Sequence, residues 1–297
     1  MKKNLLLIAS YPKSGSTWVR FVFEALRRGP GRAVSINDME GGYFGIRRRM
    51  LFDDVAPANA GELLSEEVDN VLPAVFRTLS EQPGGPHIVK VHDKADHTPS
   101  GAWLFPPECV RAVIYLTRHP FDIVLSYAHH LGLSVPETIA VMRREEIVRR
   151  DPRRLSRQLH ERWGSWSGNV SSWLDATAYH VVLIRYEDLY RDPRKDFACL
   201  ADVAGLSTSE AEIARACDLS TFERLREQER DSGFLERPRT SPGFFRAGKP
   251  LSWRGALDED SRAQLLEDHG AVMARLGYDA EGNASAAPNW PRVRAIA

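Results

Sequence analysis

Four short runs of mainly apolar residues have the length and composition of buried β-strands. They are Leu5–Ala9, His87–His92, Val110–Leu116 and His180–Arg185. Each run is followed by a polar turn and then, at varying distance, by a helical pattern of apolar positions. Alternation of buried strands with helices is typical of a parallel sheet whose two faces are covered, so we expect an α/β fold.

Helix signals fill the stretches between and after these strands. Ser134 and Glu137 have the spacing of a capping box and predict a helix that runs to about residue 149. An amphipathic pattern predicts a final helix over residues 258–276. The last segment, residues 277–297, is rich in Ala, Pro and Gly, so we expect a loosely held tail.

No linker or internal repeat divides the sequence. We therefore expect residues 1–297 to form a single domain, with a central parallel β-sheet flanked by α-helices and with helical insertions between the strands. Trp166, Val170 and Trp173 recur at helical spacing. We expect the two tryptophans in the core, and the lining of a binding pocket remains the alternative.

The composition argues against a general attraction to polyanions. The chain has 297 residues, and Lys plus Arg balance Asp plus Glu at 40 each, so nucleic acid is not an expected partner and anions must be bound by locally placed charge. Cys109, Cys199 and Cys217 have no metal-ligand spacing and are expected to be buried thiols. The first apolar run is too short for a signal peptide or a membrane span, so we expect a cytoplasmic protein.

The first strand leads into residues 11–18, Tyr-Pro-Lys-Ser-Gly-Ser-Thr-Trp, and an apolar-periodic helix follows. The start of a helix offers unpaired N–H groups and the positive end of a dipole, which suit a phosphate or a sulfate. Lys13 adds a charge, while Ser14, Ser16 and Thr17 add hydroxyl donors. The loop is not a Walker A motif, because that motif places its lysine after a second glycine.

Side chains that can carry charge, transfer a proton or form hydrogen bonds also follow the other strands. In an open parallel sheet, ligands bind at the carboxyl ends of the strands, so we expect Lys13, His92, Arg118 and Tyr186 to be neighbours. Lys90 and His92 point to the same side of their strand. The ordinary pKa of histidine lies near neutrality, which suits a general base.

These segments resemble, in the same order, the motifs of sulfotransferases that use 3′-phosphoadenosine 5′-phosphosulfate (PAPS). The loop at 11–18 differs from the family's 5′-phosphosulfate loop, Tyr-Pro-Lys-Ser-Gly-Thr-Thr-Trp, only at Ser16. Lys90-Val91-His92 is similar to the family's Lys-x-His, which supplies a catalytic base and a second cation. Arg118, with Ser126 eight residues later, is similar to the family's 3′-phosphate segment, and arginine is well suited to phosphate oxygens.

Three weaker similarities follow along the chain. Tyr186-Glu187-Asp188 resembles a Tyr-Glu-Asp whose tyrosine helps to hold the adenine, and Ser220-Thr221-Phe222 resembles a segment that contacts the purine. Residues 246–253 resemble Arg-Lys-Gly, two variable residues and Gly-Asp-Trp, although Ala247 stands where the family has lysine. The C-terminal dimer motif of vertebrate cytosolic members is absent from residues 254–297, so the oligomeric state stays open.

The resemblance implies a P-loop-like fold and metal-independent transfer of a sulfuryl group from PAPS to a hydroxyl or amine of a small-molecule acceptor, with adenosine 3′,5′-bisphosphate (PAP) as the product. It implies that His92 is the general base and that Lys13 and Lys90 stabilise negative charge. The implied nucleotide contacts are Ser14, Gly15, Ser16, Thr17, Trp18, Arg118, Ser126, Tyr186, Ser220, Phe222, Arg246, Ala247 and Gly248.

Two other functions remain open at this stage. A small-molecule kinase would use ATP and Mg²⁺, but it needs a Gly-Lys-Ser/Thr loop and a strand-end aspartate, whereas these strand ends carry Ser10, His92 and Arg118. A non-catalytic nucleotide-binding protein would have no use for a base at His92. The acceptor is open as well, among a phenol, an alcohol, a sugar and a lipid.

The acceptor side of the site is only loosely indicated. We expect the pocket to draw on residues 40–54, on the loop of residues 93–105 and on the helices around residues 129–173, with a mobile aromatic lid formed by residues 41–45 with Trp103 and Phe105. The arginines at 47–49 are expected to form a solvated helix face, and attraction of an anionic acceptor is the alternative.

Overall fold

Five strands form the sheet at the centre of the fold. The structure is a computed structural model, and it describes residues 3–38, 47–145, 159–238, 240–285 and 293–294. The order across the sheet is β2-β1-β3-β4-β5, in which β1 to β4 are parallel and β5 is antiparallel to β4. The strands are β1 (Leu5–Ser10), β2 (His87–Val91), β3 (Val110–Thr117), β4 (Val181–Arg185) and β5 (Val293–Arg294).

Helices connect and flank these strands, which confirms the predicted α/β fold with a central parallel sheet. A short 3₁₀ turn, Ala60–Glu62, lies between α2 and α3. The helices are α1 (Ser16–Arg28), α2 (Arg49–Asp53), α3 (Ser65–Glu81), α4 (Pro120–Leu131), α5 (Val135–Met142), α6 (Trp166–Asp175), α7 (Tyr186–Arg191), α8 (Pro193–Ala204), α9 (Glu210–Leu219), α10 (Phe222–Ser232) and α11 (Glu259–Arg275).

The sheet is buried on both faces, which explains the unbroken apolar runs in the sequence. Side chains of a strand point alternately to the two faces. In β1, Leu5, Leu7 and Ala9 belong to one apolar cluster, and Leu6 and Ile8 belong to the other. The expectation that the α6 tryptophans lie in the core is also confirmed, because both are fully buried in the first cluster.

Strand register brings the carboxyl ends of the parallel strands to one edge. Ala9 pairs with Val91, and Ser10 pairs with Leu116. The residues that directly follow β1, β2 and β3 therefore leave the sheet side by side, as the topological rule for parallel sheets requires.

One helix ends earlier than its sequence pattern predicts. The capping box at the start of α5 is confirmed, but the helix ends at Met142 and not near residue 149. After the helix ends, the Glu145 carboxylate accepts a hydrogen bond from the hydroxyl of Ser165, the residue that caps the start of α6. Residues 146–158 lie outside the described part of the chain.

The final helix is confirmed as α11, and the chain after it is anchored. Tyr278 is buried, and its hydroxyl donates to Glu187 at 2.8 Å. Arg185 donates to the carbonyl oxygen of Ser285 at 2.7 Å. Tyr278 and the backbone of Ser285 are therefore held by α7 and β4, so the start of the predicted tail is anchored through buried polar groups that composition does not reveal. Residues 286–292 and 295–297 of the predicted tail lie outside the described part of the chain.

Two further properties bear on the predictions from composition. Cys109 and Cys217 are buried, whereas Cys199 is exposed on α8, so the prediction of three buried thiols is wrong for one of them. Among the helices that the structure describes, none is long and apolar enough to cross a membrane.

Candidate active site

The loop between β1 and α1 forms a cradle. Lys13 has a φ of 71° and Gly15 a φ of 108°, both in the left-handed region that residues with a Cβ rarely adopt. A Cβ on Gly15 would lie 2.8 Å from Cδ2 of Tyr186, so the glycine serves both the turn and the approach of the ring. The first residue of α1, Ser16, follows without a side-chain cap, which leaves the first N–H groups of the helix for an anion.

A cavity of about 1310 Å³ opens at this edge of the sheet. Ser14 does not line it: this residue is buried beneath the loop, where its hydroxyl has no hydrogen-bond partner among the described residues. All the other sequence-predicted site residues do line the cavity, namely Lys13, Gly15, Ser16, Thr17, Trp18, Lys90, His92, Arg118, Ser126, Tyr186, Ser220, Phe222, Arg246, Ala247 and Gly248.

The Lys13 side chain lies among other cations and is largely shielded from water. Its ammonium nitrogen is 3.4 Å from Nδ1 of His130 and 4.1 Å from the centroid of the Phe244 ring. Burial, and then the charges of Lys90 and Arg118, lower the pKa of Lys13 from its ordinary value to about 7. A bound anion would favour the charged form of this amine.

His92 is held as a neutral ring with a defined tautomer. Its Nδ1 lies 2.8 Å from the carbonyl oxygen of Ser10, and because a carbonyl oxygen only accepts, Nδ1 carries the hydrogen. The lone pair is therefore on Nε2. Burial, followed by the charge of Lys90, lowers the pKa of His92 to about 3, below the ordinary value on which the sequence argument relied. The ring is accordingly in its base form at neutral pH.

Lys90 is paired with a carboxylate that the sequence analysis missed. Its ammonium lies 3.3 Å from Oε2 of Glu236, and the same carboxylate accepts three hydrogen bonds of 2.7 to 2.9 Å from the buried Arg20 of α1. Burial opposes ionisation of Glu236, but the charges of Lys90 and Arg20 outweigh it and hold the pKa of Glu236 well below its usual range. Glu236 therefore links β2 to α1 inside the cavity.

Two arginines line the part of the cavity beside Tyr186. The guanidinium carbon of Arg118 lies 4.3 Å from the centroid of the Tyr186 ring, and its Nη2 donates to the carbonyl oxygen of Lys249 at 2.9 Å. Burial, and then the charge of Arg118, lower the pKa of Arg246. The Nε atoms of both arginines are buried and lack a hydrogen-bond partner within the described residues. This pair suits a group with two negative charges.

Aromatic rings border the cradle and the arginines. The rings of Trp18 and Tyr186 have centroids 5.9 Å apart, and the Tyr186 hydroxyl donates to the carbonyl oxygen of Gly248 at 2.8 Å. A Cβ on Gly248 would lie 2.0 Å from Phe222, so only glycine allows the loop to approach this ring. The Ser220 hydroxyl already donates to carbonyl oxygens at the end of α9. The rings offer stacking surfaces for a planar base.

Beyond His92 the cavity is bordered by side chains that the sequence did not indicate individually, although His130 and Trp163 lie in the predicted region of residues 129–173. Tyr127, His130 and Trp163 line it, and Trp163 lies edge-on to His92 with ring centroids 6.0 Å apart. Phe244 completes this wall from the segment after α10. These side chains form an aromatic and imidazole wall beside the His92 ring.

The predicted aromatic lid is wrong for the two residues that the structure describes. Trp103 packs against Tyr179, with ring centroids 5.3 Å apart, and Phe105 is buried in the core. Neither residue lines the cavity. Residues 41–45 lie outside the described part of the chain.

The arginines at 47–49 do not share one environment. Arg47 is 1% exposed and pairs with Asp69 and Asp93, each at 2.6 Å. Arg48 and Arg49 line the cavity. A solvated helix face is therefore the wrong description of this triplet, because the partners of Arg47 come from α3 and from the end of β2.

One of the missed residues had a usable signal in the sequence. Ser126 and His130 are separated by four positions in α4, so they lie on the same face of this helix. Glu236 and Phe244 had no such signal, since they occur in an irregular segment after α10 without a recognisable motif.

The side chains brought together here can bind a multiply charged anion and accept a proton. The neutral imidazole of His92 shares one cavity with the uncapped start of α1 and with the cations Lys13, Lys90, Arg118 and Arg246. Within the described ranges, no group of three or more His, Cys, Asp or Glu side chains is arranged to hold a metal ion.

Comparison with known sequences identifies relatives of this chain. The family model for the sulfotransferase domain matches residues 3–277. Sulfotransferase 1B1 of Mus musculus is 24% identical over 223 residues, which cover 75% of this chain and 65% of that protein, just under two thirds of its length. Cytosolic sulfotransferase 1 of Danio rerio is 24% identical over 274 residues, with coverage of 88% and 80%.

Solved structures share the fold. Retinol dehydratase in complex with androsterone and inactive cofactor PAP has a TM-score of 0.61 and 19% identity, covering 92% of this chain and 81% of that one. Mouse sulfotransferase SULT7A1 complexed with PAP has a TM-score of 0.57 and 17% identity, with coverage of 92% and 86%. The family resemblance inferred from the motifs is confirmed, and the chain belongs to the sulfotransferase domain family.

Proposed function

We propose that this protein transfers a sulfuryl group from PAPS to a hydroxyl or amine of a small-molecule acceptor. The observation that carries the proposal is the convergence of the neutral His92 ring with Lys13 and Lys90 in a cavity that also contains the Arg118–Arg246 pair. Separate cation groups suit a nucleotide that is anionic at two positions. The two solved structures named above contain PAP, which supports this choice of nucleotide.

The proposed roles of the residues follow from their chemistry. When bound, PAPS supplies the sulfuryl group: a bond forms between its sulfur and the acceptor oxygen or nitrogen, and the bond to the bridging oxygen breaks with its electron pair left on PAP. Nε2 of His92 takes the acceptor proton. Lys13 and the first N–H groups of α1 stabilise the charge that develops on the leaving oxygens, and Lys90 adds a second cation.

The remaining site residues are assigned to the nucleotide. Ser14, Gly15, Ser16 and Thr17 are assigned to the 5′-phosphosulfate: the hydroxyls of Ser16 and Thr17 and the backbone N–H groups of the loop donate to its oxygens, and Ser14 contributes through its backbone because its side chain does not line the cavity. The 3′-phosphate is assigned to Arg118, Ser126 and Arg246 with the backbone of Ala247 and Gly248, and the adenine to Trp18, Tyr186, Ser220 and Phe222. The proposal treats residues 1–297 as one catalytic domain, because these positions are spread along most of the chain.

The buried polar atoms of the site fit such a ligand. The Ser14 hydroxyl, the Trp18 indole nitrogen and the Nε atoms of Arg118 and Arg246 have no partner among the described residues. Buried polar groups usually have partners, and phosphate oxygens would provide them for the guanidinium groups of Arg118 and Arg246, both of which line the cavity.

PAP is expected to raise the melting temperature of the protein by about 5 °C at 100 times its dissociation constant, because it binds only the folded state. A thermal-shift titration that compares PAP with ATP plus Mg²⁺ checks this. Labelled PAPS with a panel of phenols, alcohols, sugars and lipids then identifies the acceptor. Stabilisation by ATP plus Mg²⁺ without an effect of PAP would overturn the proposal in favour of a kinase.

Binding of PAP at about pH 8 is expected to take up close to one proton per nucleotide. The pKa of Lys13 in the free protein is about 7, so most of this amine is neutral at that pH. An adjacent phosphate raises the pKa and protonates it, while the phosphate itself is already fully ionised. Calorimetric titration in two buffers with different ionisation enthalpies measures the uptake.

The matched variant for this measurement is Lys13→Arg. Arginine stays charged at every relevant pH, so the variant should bind PAP without proton uptake. Equal uptake by the wild type and by the variant would show that another group takes up the proton.

A further inference from the structure

One buried carboxylate organises the arginine side of the cavity. Asp122 lies in the first turn of α4, and its Oδ2 accepts from the backbone N–H of Leu251 at 2.8 Å and lies 3.8 Å from Nη2 of Arg118. Its Oδ1 accepts from the Ser252 hydroxyl at 2.6 Å and from the N–H of Trp253 at 3.1 Å. The two oxygens therefore serve different partners.

The Ser252 hydroxyl joins this carboxylate to the second arginine. It accepts a hydrogen bond from Nη2 of Arg246 at 3.0 Å while it donates to Asp122. Asp122 thus attracts Arg118 directly and holds Arg246 through one intervening hydroxyl. A serine at this position lets a single carboxylate serve both cations, whereas the aspartate in the family pattern quoted above would add a second carboxylate.

Without a hydrogen-bond partner, the side chain of Arg246 would not keep one orientation. Arg246 and Arg118 carry like charges, and Arg118 is buried while Arg246 is half-buried, so in an empty cavity they repel each other. A long arginine side chain has many rotamers, and only some of them place the guanidinium where it can bind a phosphate. Restricting the side chain to these rotamers costs conformational entropy. The hydrogen bond from Arg246 to Ser252 favours the rotamers of Arg246 in which Nη2 lies within 3.0 Å of the Ser252 hydroxyl oxygen.

We propose that Ser252 is a positioning residue that fixes Arg246 beside Arg118 and thereby sets the preference for nucleotides with a 3′-phosphate. This inference rests on the proposed function, because it takes the two arginines as the 3′-phosphate site. Ser252 does not line the cavity, so its effect on the nucleotide passes through Arg246.

Removal of the Ser252 hydroxyl should leave the loop folded. The N–H groups of Leu251 and Trp253 still donate to Asp122. Farther back in the loop, the carbonyl oxygens of Gly248 and Lys249 still accept from Tyr186 and Arg118. The substitution therefore separates the orientation of one side chain from the fold of the segment that carries it.

The test compares PAP with adenosine 5′-monophosphate, which differs only by the missing 3′-phosphate. In Ser252→Ala, the affinity for PAP should fall by about 5- to 10-fold, the usual effect of one lost hydrogen bond, while the affinity for the monophosphate stays unchanged. Ser252→Thr keeps the hydroxyl and should retain the preference. Ser241→Ala is the matched control, because Ser241 is a buried serine of the same segment whose hydroxyl donates to the carbonyl oxygen of Gly243 and forms no hydrogen bond with Arg118 or Arg246.

A double-mutant cycle with Arg246→Met completes the test. If Ser252 acts through Arg246, its substitution has no further effect on PAP binding once the guanidinium is gone. Equal losses for PAP and the monophosphate, or a Ser252→Ala variant with wild-type preference, would overturn the inference. If the wild type itself does not distinguish PAP from the monophosphate, the assignment of the 3′-phosphate site fails, and with it the proposed function.

Discussion

Replacement of His92 by alanine is expected to lower kcat by roughly 10²- to 10⁴-fold, the usual contribution of a positioned general base. The affinity for PAP should stay close to that of the wild type, because the imidazole is neutral and adds no charge to the nucleotide site. Turnover of labelled PAPS and calorimetric titration of PAP, measured on the same preparation, separate the two effects.

The matched control for this variant is His97→Ala. His97 is an exposed histidine that packs against Trp103, with ring centroids 3.9 Å apart, and lies outside the cavity. Its loss should leave kcat near the wild-type value. Near-normal turnover in His92→Ala would contradict the assignment of the base, and a parallel loss of PAP binding would indicate a structural role instead.

The pH dependence of kcat/KM provides a second test of His92 as the base. An unperturbed histidine base would lose activity as the pH falls through about 6.5. The pKa of His92 in the free enzyme is about 3, so its protonation should not limit kcat/KM near neutral pH. An acid limb near 6.5 that disappears in His92→Ala would show that the ring titrates normally.

The residues that the sequence placed together share one property. Lys13, His92 and Arg118 each follow a parallel strand, and the register of β1 with β2 and β3 brings those strand ends to one edge. This relation depends on topology alone, so a correct reading of the strands was enough to predict that the three side chains would meet.

The residues that the sequence missed depend on contacts without a local pattern. Glu236 meets Arg20 across 216 positions and Lys90 across 146. Such ion pairs leave no periodicity or motif at either end. The same reason explains the anchoring of Tyr278, whose hydroxyl donates to Glu187 across 91 positions of the chain.

Arg47→Met is expected to lower the free energy of unfolding by about 3–5 kcal/mol, the usual cost of removing one partner from a buried ion pair. Arg47 is 1% exposed, and its guanidinium donates to Asp69 and Asp93 at 2.6 Å each. Methionine fills much of the volume but leaves both carboxylates without this cation. Equilibrium unfolding in urea measures the loss.

Two further substitutions show whether the lost positive charge causes the loss of stability in Arg47→Met. Arg47→Lys keeps a cation but not the planar fork, so a lysine cannot match both carboxylates and should give an intermediate loss. Arg226→Met, at an exposed position of α10, should stay within about 0.5 kcal/mol of the wild type. If Arg47→Met lowers the free energy of unfolding by less than about 1 kcal/mol, Arg47 does not form a water-excluded ion pair with Asp69 and Asp93.

The same network connects stability to the acceptor side of the site. Asp93 directly follows His92, and its carboxylate also accepts from the backbone N–H of Arg162 at 2.7 Å, next to Trp163 in the cavity wall. Loss of Arg47 therefore loosens the contact between the end of β2 and that wall, while the β1–α1 cradle keeps its own supports. At temperatures where Arg47→Met remains folded, we expect the KM for the acceptor to rise more than the dissociation constant for PAP.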